Sequence, residues 1–222
     1  MPSPDHGAVA VLASGGLDSG VLMADLAAVR PVFPLYLCAG LSWEKEERNA
    51  LDRYLAALGA PNIHAVTEIA VAAGPLLGEH WSVTGQDLPT AGTPDSAVFI
   101  PGRNVILIGL AAVWCSTHRV GQIAIGSLGS NPFPDASPEF FDDYAALLSR
   151  GLNHPIQVIA PYRNEHKEAI LKRFQHLPLE LTVTCMQASD GVHCGACNKC
   201  EERRKAFQRA GVTDRTRYQA TE

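Results

Sequence analysis

Residues Val9–Val29 read VAVLASGGLDSGVLMADLAAV, and this stretch decides the fold class. An apolar run ends at Ala13, the chain breaks at Ser14–Gly16, and a helical pattern begins at Asp18. A buried strand, a glycine turn and a helix in this order are typical of the first unit of a parallel α/β sheet. Ligands collect beyond the carboxyl ends of such strands, so the turn is a candidate phosphate site.

The same alternation continues along the whole chain. Apolar runs, several rich in Val and Ile, predict strands at residues 8–13, 32–38, 63–66, 122–125 and 155–159. Amphipathic stretches predict helices at residues 18–29, 44–58, 104–117, 138–148 and 164–177. Residues 70–95 lack a clean period and predict an ordered surface loop or a lid of short helices. The pattern therefore predicts a doubly wound, mostly parallel sheet of Rossmann-like type.

Length, composition and net charge limit the number of domains and the kinds of molecule that this protein is expected to bind. A chain of 222 residues with 46% hydrophobic residues fits one globular domain with a small appendage. A formal net charge of −5 gives no broad basic field, which disfavours tight non-specific binding to nucleic acid and favours a small-molecule partner. We find no apolar run of membrane-spanning length and no charged-then-apolar leader, so we expect a cytoplasmic protein without membrane contact.

The cysteines indicate a metal site near the C-terminus. Four of the six crowd into one segment with C-x8-C-x2-C-x2-C spacing: Cys185, Cys194, Cys197 and Cys200. Four thiolates are the number that a closed, structural zinc site requires, and Gly195 relieves the bend between them. An iron–sulfur cluster is the alternative. The other two cysteines, Cys38 and Cys115, lie in apolar segments and are expected to pack as small hydrophobes.

The first turn can bind an anion. Its glycines expose backbone amides, the Ser14 and Ser19 hydroxyls can donate hydrogen bonds, and the following helix contributes its positive end. The alternative is an ordinary turn in which Asp18 and Ser19 cap the helix. The stretch has neither the G-x-G-x-x-G of dinucleotide sites nor the lysine of a Walker loop.

S-G-G-x-D-S resembles instead the pyrophosphate loop of the ATP pyrophosphatases, which cleave ATP between its α and β phosphates to adenylate a substrate. The resemblance implies an adenine nucleotide alpha hydrolase-like fold and the use of ATP with Mg²⁺. It also implies a nucleotide-binding loop, which we call the phosphate loop, made of Ala13, Ser14, Gly15, Gly16, Leu17, Asp18, Ser19 and Gly20.

A second motif, P-G-R-N at residues 101–104, opens an apolar helix with a cation. Because the helix dipole disfavours positive charge there, Arg103 suggests an anionic ligand, such as a phosphate or a carboxylate. The alternative is a solvated loop arginine.

Taken in order, these features resemble the 7-cyano-7-deazaguanine synthases, which make a nitrile precursor of queuosine from 7-carboxy-7-deazaguanine. Further matches are Pro134-Asp135, Glu139-Phe140, Lys167, and Thr184-Cys185 before C-G-A-C-N-K-C. The resemblance implies an ATP-pyrophosphatase domain over residues 1–184, a zinc segment over 185–222 packed on it, and a homodimer.

The resemblance also implies roles for single residues. Asp18, Arg103 and Lys167 are the candidate catalytic residues, and Arg103, Asp135 and Glu139 are the candidate substrate-binding residues. The alternative for Lys167 is that it is an ordinary surface lysine without a catalytic role. For Asp135 and Glu139 the alternative is helix capping.

Two loops depart from the family pattern. Residues Gly40–Glu44 stand where a Tyr-Gly-Gln-x-His stretch is usual, and the loop Ser127–Ala136 is short, with Ala136 in place of a cysteine. An alternative function therefore keeps adenylation but makes an amide, or joins the activated deazaguanine to a protein or nucleic-acid amine. A sulfur-inserting RNA-modifying enzyme and a non-catalytic zinc module are more distant alternatives.

Overall fold

The computed structural model describes residues 7–72, 74–129 and 131–220, and within them five strands form one parallel sheet. The strands are β1 (Val9–Ala13), β2 (Val32–Cys38), β3 (Thr67–Ala70), β4 (Gln122–Ala124) and β5 (Gln157–Ile159). Their order is β3-β2-β1-β4-β5, and every neighbouring pair is parallel. This confirms the predicted fold class. Some residues of the predicted segments lie outside the described part of the chain, among them Met1 of the domain 1–184, Ser130 of the loop 127–136 and Glu222 of the segment 185–222.

The helices cover both faces of the sheet. Their bounds are α1 (Leu17–Ala27), α2 (Glu44–Leu58), α3 (Gly74–Leu77), α4 (Trp81–Thr84), α5 (Arg103–His118), α6 (Pro138–Leu152), α7 (Lys167–Arg173) and α8 (Asn198–Ala210). Short 3₁₀ turns lie at Asp95–Val98, Pro134–Ala136 and Leu179–Leu181. None of the described helices has the length and apolar character needed to cross a membrane.

Strand β1 separates two apolar cores. Val9 and Val11 pack in one core with residues of α1, α7 and α8, whereas Ala10 and Leu12 pack in the other with residues of α5 and α6. All four side chains are buried, as expected for a strand covered on both faces. Because β1 is central, the turn that follows it lies at the switch point between β1 and β4, where doubly wound sheets bind ligands.

The predicted third strand at 63–66 was wrong, since the strand lies at Thr67–Ala70. Ile63 forms only an isolated bridge with Val32, whereas the continuous ladder begins where Leu35 pairs with Thr67. Between the bridge and the ladder, β2 runs three residues, from Val32 to Leu35, whereas the neighbouring edge segment runs four, from residue 63 to residue 67. One extra residue in the edge segment therefore interrupts the pairing. The observed strand alternates half-buried and exposed residues, which an apolar-run criterion overlooks.

The C-terminal segment shares the main core. Ala206, Phe207 and Ala210 of α8 pack in the same cluster as β1 and α1. The Val183 amide donates to the Gly15 carbonyl at 2.7 Å, which ties the segment to the turn after β1. Helix α8 was not predicted, and α7 is shorter than the stretch 164–177 suggested. The division into residues 1–184 and 185–222 remains a prediction.

Candidate active site

A cavity of about 320 Å³ opens beyond the carboxyl ends of β1 and β4. Much of the phosphate loop lines it, together with Arg103 at the start of α5 and Lys167 at the start of α7. The structure thus brings together the three candidate catalytic residues, Asp18, Arg103 and Lys167. Neither Asp135 nor Glu139 is among the residues that line this cavity.

The phosphate loop is held by its own serines. The Ser14 and Ser19 hydroxyl oxygens lie 3.0 Å apart, and the Ser19 hydroxyl also lies within donor distance of the Ser14 and Gly16 carbonyls. The Gly16 amide donates to the Ser14 hydroxyl at 3.1 Å. The N-cap residue Gly16 has no side chain to cap α1, and among the described residues no hydrogen bond is found for the first three amides of the helix. Uncapped helix amides beside a cavity are suited to binding an anion.

Gly15 is required for packing. A Cβ atom at this position would lie 2.2 Å from the Glu47 carbonyl oxygen and 2.8 Å from the Glu47 Cα. Helix α2 therefore crosses directly over the turn, and only a residue without a side chain allows that approach. From the sequence, Gly15 was expected to leave the backbone amides of the turn exposed to an anion. The structure adds a steric reason, because α2 packs against this position.

Lys167 is at the centre of a charge network. Its ammonium lies 3.2 Å from Asp18 Oδ2 and 2.5 Å from Glu202 Oε1, and Lys199 contacts Glu202 Oε2 at 2.8 Å. Burial lowers the pKa of Lys167, but Asp18 and Glu202 outweigh it and raise the pKa overall. Burial acts to raise the pKa of Glu202, yet the two lysines lower it to about 2. Lys167 and Glu202 are therefore both charged at neutral pH.

One carboxylate oxygen in this network has no partner. Asp18 Oδ1 is buried and accepts no hydrogen bond from any described residue, although Oδ2 is paired with Lys167. A buried, unpaired anionic oxygen on a residue that lines the cavity fits the hard-oxygen preference of Mg²⁺. Sequence reasoning missed Lys199 and Glu202, which become neighbours of the site only because α8 packs against α7.

Asp135 caps helix α5. Its Oδ2 accepts a hydrogen bond from the Asn104 amide at 3.0 Å, and its carbonyl accepts one from the Asn104 side-chain amide at 3.0 Å. These bonds fix the first turn of α5, in which Arg103 is the first residue. Helix α6 has a different cap, Ser137, whose hydroxyl accepts from the Phe140 amide at 3.1 Å. The substrate-binding roles of Asp135 and Glu139 remain predictions.

The diverged loop before α2 forms another wall of the cavity. The Glu44 carboxylate accepts hydrogen bonds from the amides of Ala39 and Gly40 at 2.5 Å and 3.1 Å, which hold the loop in place. Trp43 stacks on Trp81 of α4, with ring centroids 5.7 Å apart and planes 22° from parallel. Both indoles line the cavity. The short helices of segment 70–95 thus cover this part of the site.

Glu47 also lines the cavity, one helical turn after Trp43. Burial raises the pKa of Glu47 to about 7, with a further increase from Glu44. Arg103 opposes this effect, as do hydrogen bonds from the side chains of Tyr36 and Trp43. A carboxyl group with this pKa can both accept and donate a proton near neutral pH.

The four clustered cysteines form a separate site that could hold a metal ion, since their sulfur atoms all lie within 4.8 Å of one another. Two of the sulfur pairs are 3.9 Å and 4.0 Å apart. A tetrahedral zinc with bonds of about 2.3 Å places its sulfurs roughly 3.8 Å apart, so the set fits that ion. Backbone amides of Gln187 and Cys194 donate to the Cys185 sulfur at 3.3 Å and 3.2 Å, as expected for a thiolate.

A family model, queuosine biosynthesis protein QueC, matches residues 8–211. The 7-cyano-7-deazaguanine synthase of Methylobacillus flagellatus is 32% identical over 95% of this chain and 96% of its own length. That of Methanothrix thermoacetophila is 31% identical over 96% of this chain and 99% of its own length. Neither relative's name supports the alternative macromolecular acceptor.

A solved structure supports the fold alone. It is described as a predicted subunit of tRNA methyltransferase from Methanocaldococcus jannaschii, with a TM-score of 0.50 and 15% identity. The match covers 93% of this chain and 89% of that one.

Proposed function

Because the chain belongs to the QueC family of queuosine biosynthesis proteins, we propose that it is an ATP-dependent carbon–nitrogen ligase that makes 7-cyano-7-deazaguanine. Its substrates would be 7-carboxy-7-deazaguanine, ammonia and ATP. The observation that carries the proposal is the uncapped start of α1, which shares one cavity with Arg103 and with the Asp18–Lys167 pair. This arrangement supports adenylation, which needs an anion site and cations around the α phosphate.

In the first step the substrate carboxylate attacks the α phosphorus of ATP. A carboxylate is a poor electrophile, and the acyl adenylate formed here, with loss of pyrophosphate, is a good one. The amides at the start of α1 and the Ser14 hydroxyl would hold the phosphates. Arg103 and Lys167 would stabilise the charge that develops on the phosphate oxygens. Catalysis then depends mainly on positioning.

Ammonia next attacks the acyl carbon, so that AMP leaves and an amide forms. The amide oxygen attacks a second ATP at its α phosphorus, and pyrophosphate leaves again. Cleavage of the remaining carbon–oxygen bond releases the second AMP and leaves the nitrile. Each adenylation therefore converts one carboxylate oxygen into part of a leaving group.

Mg²⁺ and Zn²⁺ have distinct proposed roles. Asp18, through its unpaired Oδ1, would hold Mg²⁺, which supplies charge neutralisation at the phosphates when bound. The four cysteines would hold a structural zinc, which ties the segment that carries α8 to the rest of the chain. A cytoplasmic location and a homodimer complete the proposal by analogy with the family.

The test is to incubate the purified protein with ATP, Mg²⁺, 7-carboxy-7-deazaguanine and ammonium, and to measure AMP and product mass. The nitrile mass with two AMP per product is expected, and Asp18→Asn should abolish it. Glu165→Asn is the matched control, because Glu165 pairs with Arg173 outside the cavity. Absence of AMP would contradict the proposal, and an amide as the only product would limit it to the first half of the reaction.

A further inference from the structure

Four carboxylates line the cavity, and three of them are already committed to protein partners. Asp18 and Glu202 pair with Lys167, and Glu44 accepts the hydrogen bonds of two loop amides. The fourth is Glu47, which has no ion pair within 4.0 Å among the described residues. The side chains of Tyr36 and Trp43 donate hydrogen bonds to it, so Glu47 is the lining carboxylate that the described residues hold by neutral donors alone and not by a cation or by backbone amides.

Packing places Glu47 beside the phosphate loop. Its Cα lies 2.8 Å from the position that a Cβ of Gly15 would take, so its side chain begins next to the turn that holds the phosphates. The indoles of Trp43 and Trp81 line the cavity around it, together with Leu41. Such apolar walls limit access of water, which would hydrolyse an acyl adenylate.

The proposed chemistry needs a proton acceptor in this region. Ammonia is mainly ammonium at neutral pH, and the nitrogen must lose protons at each stage between acyl adenylate and nitrile. Asp18 and Lys167 are tied to each other, and the guanidinium of Arg103 offers donors but no acceptor, so none of them serves this purpose well. A carboxylate without an ion pair that lines the same cavity can accept this proton.

We propose that Glu47 is the general base of the ammonia-dependent steps, an inference that rests on the proposed function. As the carbon–nitrogen bond forms and AMP leaves, the Glu47 carboxylate takes the proton released by the nitrogen. It passes that proton to solvent and acts again on the amide nitrogen after the second adenylation. Loss of the last N–H proton accompanies cleavage of the carbon–oxygen bond, which gives the nitrile and AMP.

The charged and titratable groups facing Glu47 set the pH at which this base works. Burial and Glu44 on the same helix favour its protonated form, whereas Arg103 from α5, Tyr36 from β2 and the Trp43 indole favour the carboxylate. The ionised form is the active base, so the rate of nitrile formation should rise as the pH increases through about 7.

The test is Glu47→Gln, which preserves shape and removes the base. The rates of nitrile and amide formation should fall about 100-fold, and they should no longer increase as the pH rises through 7. Exchange of labelled pyrophosphate into ATP, measured with the acid but without ammonium, should stay within about twofold, since adenylation needs no such base. Glu46→Gln is the matched control, because Glu46 lies on the same helix but bonds to the Gly191 amide at 3.3 Å, outside the cavity.

Hydroxylamine provides a second readout that does not depend on the base. It is largely unprotonated at neutral pH and strongly nucleophilic, so Glu47→Gln should form the hydroxamate at close to the wild-type rate. Equal loss of exchange, hydroxamate and amide would overturn the proposal and assign Glu47 to substrate binding or folding. Unchanged nitrile formation would overturn it as well. A wild-type protein without any exchange would instead refute the proposed function.

Discussion

Replacing Gly15 with alanine tests the packing of the phosphate loop against α2. The new Cβ would lie 2.2 Å from the Glu47 carbonyl oxygen, and real Cβ contacts essentially never fall below 3.0 Å. The oxygen must therefore move by 0.8 Å, the difference between these two distances. Because the obstacle is helix backbone, the cost should reach the upper end of overpacking, about 3 kcal/mol.

Two measurements follow from that displacement. Thermal unfolding of Gly15→Ala should occur roughly 6–12 °C below wild type for a chain of this size. Acid-dependent pyrophosphate exchange should fall about 100-fold, since a shift near 1 Å misplaces the groups that hold ATP.

A glycine outside the phosphate loop serves as the control. At Gly151 in α6 nothing lies within 4 Å, so alanine should stabilise the helix by about 0.5–1 kcal/mol. A Gly15→Ala protein that melts within roughly 2 °C of wild type and keeps its exchange activity would refute the reasoning.

Three further predictions concern the metal site, the α5 cap and Glu47. Cys200→Ser should reduce bound zinc, measured by elemental analysis, and lower the melting temperature, whereas Cys38→Ser should change neither. Asp135→Ala should lower the free energy of unfolding by about 1 kcal/mol, because α5 loses its cap. Unchanged stability with a raised KM for 7-carboxy-7-deazaguanine would instead indicate that Asp135 contacts the substrate. Because folding raises the pKa of Glu47 to about 7, this group lowers the stability of the wild type as the pH rises from about 4 to 7. In denaturant titrations at several pH values, the wild type should therefore lose stability relative to Glu47→Gln over this range. Identical pH dependence in the two proteins would show that Glu47 titrates normally.

The parts of the structure that local patterns encode were predictable. The apolar run of β1, the glycine turn and α1 lie in sequence order, and their period and composition specify them directly. The four cysteines were also predictable as a set, because their spacing brings the sulfurs together with little help from the rest of the chain.

The parts that depend on distant contacts were not predictable. Strand β3 is an edge strand displaced by one extra residue, and its alternating pattern TEIA carries a weak signal. Helix α8 is rich in charge, so its burial against α7 shows only in the fold. Glu47 sits among other acids in a polar helix, and only the approach of that helix to Gly15 identifies it as part of the site.

The central claim is that both oxygens of the substrate carboxylate attack the α phosphorus of an ATP in turn, the first as the carboxylate and the second as the oxygen of the amide. The most direct test uses substrate with ¹⁸O in both carboxylate oxygens and measures the mass of the products. Each adenylation should transfer one labelled oxygen, so every AMP should carry one ¹⁸O and the nitrile none. Unlabelled AMP, or label retained in a product other than the amide intermediate, would contradict the account.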